Sequence, residues 1–125
     1  MENELSRKII GAAIEVHVAL GGPGLLESIY ESALCHELTL CGIEVQRQIA
    51  IPVSYKGVTI RDPLYLDVLA NNKVIIEVKA TEKNQPIYES QLLTYLRLTG
   101  LKLGLLINFG SHRVTDGISR VVNGL

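Results

Sequence analysis

Three charged residues stand where apolar neighbours dominate. Asp67 lies within Leu64-Tyr65-Leu66-Asp67-Val68-Leu69, and Glu77 and Lys79 lie within Val74-Ile75-Ile76-Glu77-Val78-Lys79-Ala80. Without its two charges the second stretch is a continuous β-branched run, the mark of a strand buried on both faces. Side chains alternate across a strand, so Glu77 and Lys79, two positions apart, point to the same face. Burying a carboxylate and an ammonium is costly unless they are paired, hydrogen-bonded or metal-bound. An isolated Glu-x-Lys is more often the solvated end of a strand. The other residues of this chain argue for more.

Glu27 and Tyr30 lie three apart near the start of a predicted helix and share a face, and Gln91 and Tyr95, four apart, share a face of a later helix. Each has a plain structural account. Glu27 favours the positive end of a helix, Tyr30 suits a core, Gln91 and Tyr95 suit a polar helix edge, and Asp67 suits an ion pair with Arg61 or Lys79. Jointly, a carboxylate on each of two adjacent strands plus one at a helix end resembles a hard-metal site. Mg²⁺ takes oxygen ligands, uses few carboxylates and keeps water positions open.

The elements that must position these groups read as follows. Apolar residues Leu5, Ile9, Ile10, Ala13, Val16 and Leu20 predict an amphipathic helix over residues 3–20, with His17 near its apolar stripe as a hydrogen-bonded structural residue. Gly21-Gly22-Pro23-Gly24 breaks it, and a second helix covers residues 25–41 with Gly42 at its C-terminal cap. Alternation predicts a half-buried strand over 43–55, irregular or at an edge at Pro52. After the Lys56-Gly57 turn an extended piece begins at Val58, is interrupted by Arg61-Asp62-Pro63, and resumes over 64–69. A strand over 74–80, a helix from Pro86 to about Thr99 ended by Gly100, and a buried strand over 103–109 follow. The tail, 110–125, suits a short strand or a helix equally. A helix between two buried strands gives one right-handed crossover, and the earlier strands form antiparallel hairpins. The expected fold is α/β, a mixed central sheet flanked by helices.

With 125 residues, nearly half hydrophobic, residues 1–125 make one domain with a real core. Charges break every apolar run before it reaches the length of a membrane span, and the acidic N-terminus lacks a signal peptide's pattern, so a cytoplasmic protein is expected. Cys35 and Cys41 are six apart, a poor spacing for a disulfide within one helix, and read as reduced thiols. A net charge of −1 counts against a strong non-specific polyanion binder. A nucleic-acid role therefore needs a local basic patch.

Gly24-Leu25-Leu26-Glu27-Ser28-Ile29-Tyr30 resembles the signature of the GxxExxY protein family, which is assigned to the PD-(D/E)XK nuclease superfamily. Asp67 followed by Glu77-Val78-Lys79 resembles the D…ExK motif of that superfamily, and Gln91-Leu92-Leu93-Thr94-Tyr95 resembles the QxxxY helix of its recombination-type members. The resemblance spans residues 5–122, with the motifs in the expected order. It departs in an extra glycine, Gly22, before the signature, and in Leu66 where a proline commonly precedes the aspartate. The resemblance implies a restriction-endonuclease-like core, α-β-β-β-α-β, with an extra N-terminal helix. It implies that Asp67, Glu77 and the Val78 carbonyl hold Mg²⁺ (or Mn²⁺), with Glu27 binding directly or through water. It also implies that Lys79 positions the attacking water or stabilises phosphorane-like charge, and that Gln91 and Tyr95 orient Lys79 or contact the phosphate. The implied activity is hydrolysis of phosphodiester bonds in nucleic acid, DNA ahead of RNA, with no membrane partner and with a homodimer left open. The competing class is a catalytically silent or regulatory module that keeps the fold.

One geometric requirement follows. If Asn71-Asn72 were a two-residue hairpin turn, Ala70 would pair with Lys73 and Asp67 would oppose Ile76, on the wrong face. A three-residue loop, or a bulge, sets Asp67 opposite Glu77. Asp67, Glu77 and Lys79 then share one face, Ile76 and Val78 take the other, and Glu27 approaches from its helix.

Overall fold

In the computed structural model, which describes residues 2–124, two helices come first: α1 (Glu2–Ala19) and α2 (Glu27–Leu40). Three strands follow, β1 (Val45–Tyr55), β2 (Val58–Ala70) and β3 (Val74–Lys79), then α3 (Pro86–Thr99) and β4 (Leu103–Asn108). A 3-10 turn over Val114–Gly117 leads into β5 (Ile118–Val122). The strands lie in chain order, β1-β2-β3-β4-β5. β1, β2 and β3 form an antiparallel meander, α3 carries the chain to the parallel strand β4, and β5 returns antiparallel. This is the mixed α/β sheet expected of a restriction-endonuclease-like core. The undecided tail supplies both a helical turn and a fifth strand.

The sheet separates two cores. Ile9, Ala13 and Val16 of α1 and Tyr30, Leu34 and Leu38 of α2 pack on Val68, Val74, Ile76, Val78, Leu105 and Ile107. On the other side Leu92 and Leu96 of α3 pack on Ile51, Leu66, Ile75 and Leu106. β3 and β4 are covered on both sides, which is why they read as unbroken apolar runs. Gly104 lets α3 sit close, because a Cβ there would stand 2.8 Å from Leu92.

Helix ends follow the local chemistry. α2 closes with Gly42 at φ 79°, its amide bonded to Thr39 O and that of Ile43 to Leu38 O, a Schellman motif. Pro86 opens α3, and Gly100, at φ 75°, ends it. His17 is buried and structural, its Nε2 lying 3.1 Å from the Ser111 carbonyl oxygen. Cys35 is buried and Cys41 exposed, both as free thiols, and burial pushes the Cys35 thiol up to about 11.

The interruption expected at Arg61-Asp62-Pro63 does not occur. β2 runs unbroken from Val58 to Ala70, and the irregularity is instead a register shift in its pairing with β1. Pairing jumps from Ile51↔Leu64 to Val53↔Arg61, so Pro52, Asp62 and Pro63 fall in unpaired positions. A proline without an N–H costs no ladder bond there. Beyond this point the hairpin is a two-stranded ribbon, since β3 pairs only with residues 68–70 of β2. Tyr55, Val58 and Ile60 are exposed on that ribbon.

Candidate active site

The β2–β3 connection has the odd length the carboxylates require. Asn71 and Asn72 take positive φ, 50° and 54°, which asparagine tolerates. The Lys73 amide closes on the Ala70 carbonyl at 3.0 Å. Pairing resumes as Ala70↔Val74, Leu69↔Ile75 and Val68↔Ile76, leaving a three-residue loop. Continued by one step, this register places Asp67 opposite Glu77.

At that step side chains take over the ladder. The Val78 amide donates to Asp67 Oδ2 at 2.9 Å, and the Asp67 amide donates to Glu77 Oε1 at 3.3 Å. Each carboxyl group thus accepts a backbone N–H from the opposite strand, which compensates for lost solvation. Asp67 also marks where β1 and β2 change sides together. Arg47↔Val68 and Ile49↔Leu66 are paired, whereas Gln48, at φ 50°, and Asp67 between them are not. Val68 packs under α1 and α2, but Leu66, Ile49 and Ile51 pack under α3. The Asp67 carboxylate enters the gap between β2 and β3 at this switch, and simple strand alternation does not describe it. Glu77 alternates with Ile76 and Val78 of the first core, as expected, and so faces α3.

Glu77 is only 7% exposed. Burial, the neighbouring Asp67 charge and a hydrogen bond between the two carboxyl groups push its pKa up to about 9, against the opposing pull of Lys79. The pair therefore holds a proton at neutral pH. Tyr95 of α3 faces the same carboxylates. Burial and the charges of Glu77 and Asp67 raise its phenol, with Arg61 opposing. Glu27 reaches the site from the first turn of α2, on the other side of the sheet. Its carboxyl is raised by partial desolvation, lowered by Lys79, and raised again by Asp67 and Glu31.

Lys79, half-buried at the end of β3, has its Nζ 4.7 Å from the centre of the Tyr88 ring. Gln91 is exposed on α3 and, among the described residues, makes no hydrogen bond to Lys79. Tyr30, three residues after Glu27, is fully buried and stacks on Phe109 with ring centres 4.7 Å apart. Its hydroxyl donates to Gly22 O at 2.7 Å and accepts from Leu25 N at 3.2 Å. The tyrosine of the signature thus ties down the glycine loop that delivers Glu27. Between Pro23-Gly24-Leu25, Ala80-Thr81-Glu82 and Gly110 lies a surface cleft of about 430 Å³.

Three residues of this neighbourhood carry no role in the sequence reading. Glu31, one helical turn after Glu27, is buried and receives Arg47 at 2.9 Å and Gln48 at 3.3 Å. That bond raises the Arg47 guanidinium further. Its i+4 spacing from Glu27 was the available signal. Asn108 was marked by the same sign as Glu77, a polar residue in a buried strand, and Tyr88 by its place one turn before Gln91.

The donor chemistry fits a divalent cation. Two carboxylates are forced together in a buried place, where they must share a proton unless a positive charge replaces it. Among the described residues, no three of His, Cys, Asp and Glu converge into a ready-made cage. No helix is long and apolar enough to cross a membrane.

A family model described as the PD-(D/E)XK nuclease superfamily matches residues 3–121. No curated protein and no solved structure matches the chain.

Proposed function

Because the chain belongs to the PD-(D/E)XK nuclease superfamily, we propose that it hydrolyses phosphodiester bonds in nucleic acid, DNA in preference to RNA, with Mg²⁺ or Mn²⁺. The observation that carries this reading is the Asp67–Glu77 pair, its glutamate buried and each carboxyl group bonded to the opposite strand, with Lys79 at the end of the same strand as Glu77. Asp67, Glu77 and the Val78 carbonyl would hold the ion, with Glu27 binding directly or through water from α2. When bound, the ion polarises a phosphoryl oxygen and lowers the pKa of the water it holds. The other steps belong to the chain. Glu77 would release its proton to solvent, leaving both carboxylates able to serve as oxygen ligands. Lys79 orients the attacking water or meets negative charge growing on the phosphate. Tyr95 and Gln91, from α3, would orient Lys79 or contact the phosphate. Within the superfamily we place the chain in the GxxExxY family, on the resemblance of residues 24–30 to that signature.

Calorimetry with Mg²⁺ or Mn²⁺ and a panel of labelled single- and double-stranded DNA and RNA test the proposal. The wild-type protein should bind the ion and cleave at least one substrate. Asp67→Ala and Glu77→Ala should lose both properties. Glu77→Ala should keep or gain metal-free stability, since repulsion and burial cost are relieved, whereas Asp67→Ala leaves the Val78 amide without its acceptor and should lose some. Lys79→Ala should lose cleavage on the order of a hundredfold while retaining ion and nucleic-acid binding. A wild-type protein that binds no divalent ion, or a Glu77→Ala protein that behaves as wild type, would point to the silent module instead.

A further inference from the structure

The cation–π contact of Lys79 lies outside the motifs that carried the functional reading. Among the described residues Lys79 has no ion pair and no hydrogen bond through its ammonium, and its partner is the Tyr88 ring. A lysine stem has many rotamers, and a charge that must be searched for at each turnover costs reorganisation that a fixed charge does not. An ammonium over an aromatic face is held by the ring's quadrupole.

The ring itself is held in place. Tyr88 stands in the first turn of α3 and packs against the second core. Its amide donates to Gln85 O at 3.0 Å. The segment before it is fixed by Asn108, the fully buried strand partner of Lys79 in β4. Asn108 Oδ1 accepts the amides of Thr81 at 3.0 Å and Gly110 at 2.9 Å. Its Nδ2 donates to Thr81 Oγ1 at 3.2 Å and Asn84 Oδ1 at 2.8 Å. Thr81 presses on Gly110 so closely that a Cβ there would overlap its carbonyl oxygen. Phe109 N completes the closure by donating to Lys79 O at 2.8 Å. The backbone of Lys79 and the ring under its ammonium are thus tied to the same asparagine.

We infer that Tyr88 is the positioning residue for Lys79, its ring face holding the ammonium in one orientation before substrate arrives. The inference rests on the assignment of Lys79 to phosphodiester hydrolysis. Tyr88→Phe keeps the ring and Tyr88→Leu removes it, while both remain apolar toward the core. In protein carrying ¹³C-labelled lysine, the ε-methylene protons of Lys79 should be shifted upfield by the ring in wild type and Tyr88→Phe, and not in Tyr88→Leu. On the substrate that wild type cleaves, with Mn²⁺, Tyr88→Leu should lose on the order of tenfold in kcat. KM and calorimetric Mn²⁺ affinity should not change, and Tyr88→Phe should match wild type in all of these. Tyr88→Leu retaining full kcat, or Tyr88→Phe losing as much as Tyr88→Leu, would overturn the inference. A wild-type protein that cleaves nothing would defeat the nuclease reading. The Lys79 shift alone would then decide whether Tyr88 holds the ammonium.

Discussion

Glu77 holds its proton far more tightly in the folded protein than in the unfolded chain. Its ordinary value is 4.5 and its folded value about 9, so between those pH values the native state binds more protons than the unfolded state. Stability of the metal-free protein must therefore fall as pH rises through that window and level off above it. The melting temperature without metal should decline steadily from about pH 5 to about pH 9, and Glu77→Gln, which cannot ionise, should lose most of that slope. An unchanged slope in the variant would assign it to other groups. The same carboxyl explains why a buried charge was tolerated in β3 at all: its acid form accepts the Asp67 amide without carrying full charge.

At the scale of elements, the hairpin loop between β2 and β3 decides whether the site exists. Deleting Lys73 would leave Asn71-Asn72 as a two-residue turn and pull the register by one position. Divalent-ion binding measured by calorimetry should then disappear, with the helical signal of the protein retained. Retention of affinity would mean that a bulge re-forms elsewhere in the strands. This loop was legible beforehand because positive-φ asparagines and strand parity together allow few solutions. So were β3, α3 and β4, each bounded by Asn, Pro or Gly around a clear apolar pattern. Less legible was β2, where Pro63 in a strand reads as a break unless the opposing Pro52 is known to be unpaired too. The change of sides at Gln48 and Asp67 left no mark, since glutamine at positive φ has no sequence signal. Arg47 and Glu31 could not be paired in advance because their contact joins a helix to a strand sixteen residues away.

Over the whole molecule, charge is placed at the seam between two cores. α1 and α2 bury one side of the sheet and α3 the other. Asp67, Glu77 and Lys79 sit where β2 and β3 part, with Glu27 entering from one side and Tyr88 and Tyr95 from the other. With a net charge of −1, attraction for a phosphate backbone has to come from a local cluster of basic side chains rather than from the chain as a whole. The outer ribbon of β1 and β2 stands apart from that economy. Residues 53–61 pair only with each other, and Tyr55, Val58 and Ile60 are exposed there. Amide hydrogens at Ser54 and Thr59 should therefore exchange with solvent through small local openings. Those of Ile76 and Leu105 should exchange only when the whole chain unfolds. Equal protection at all four would mean that the ribbon opens only with the rest of the sheet. Otherwise the protein carries a strip of sheet that can be unzipped and rezipped while Asp67 and Glu77 stay in register.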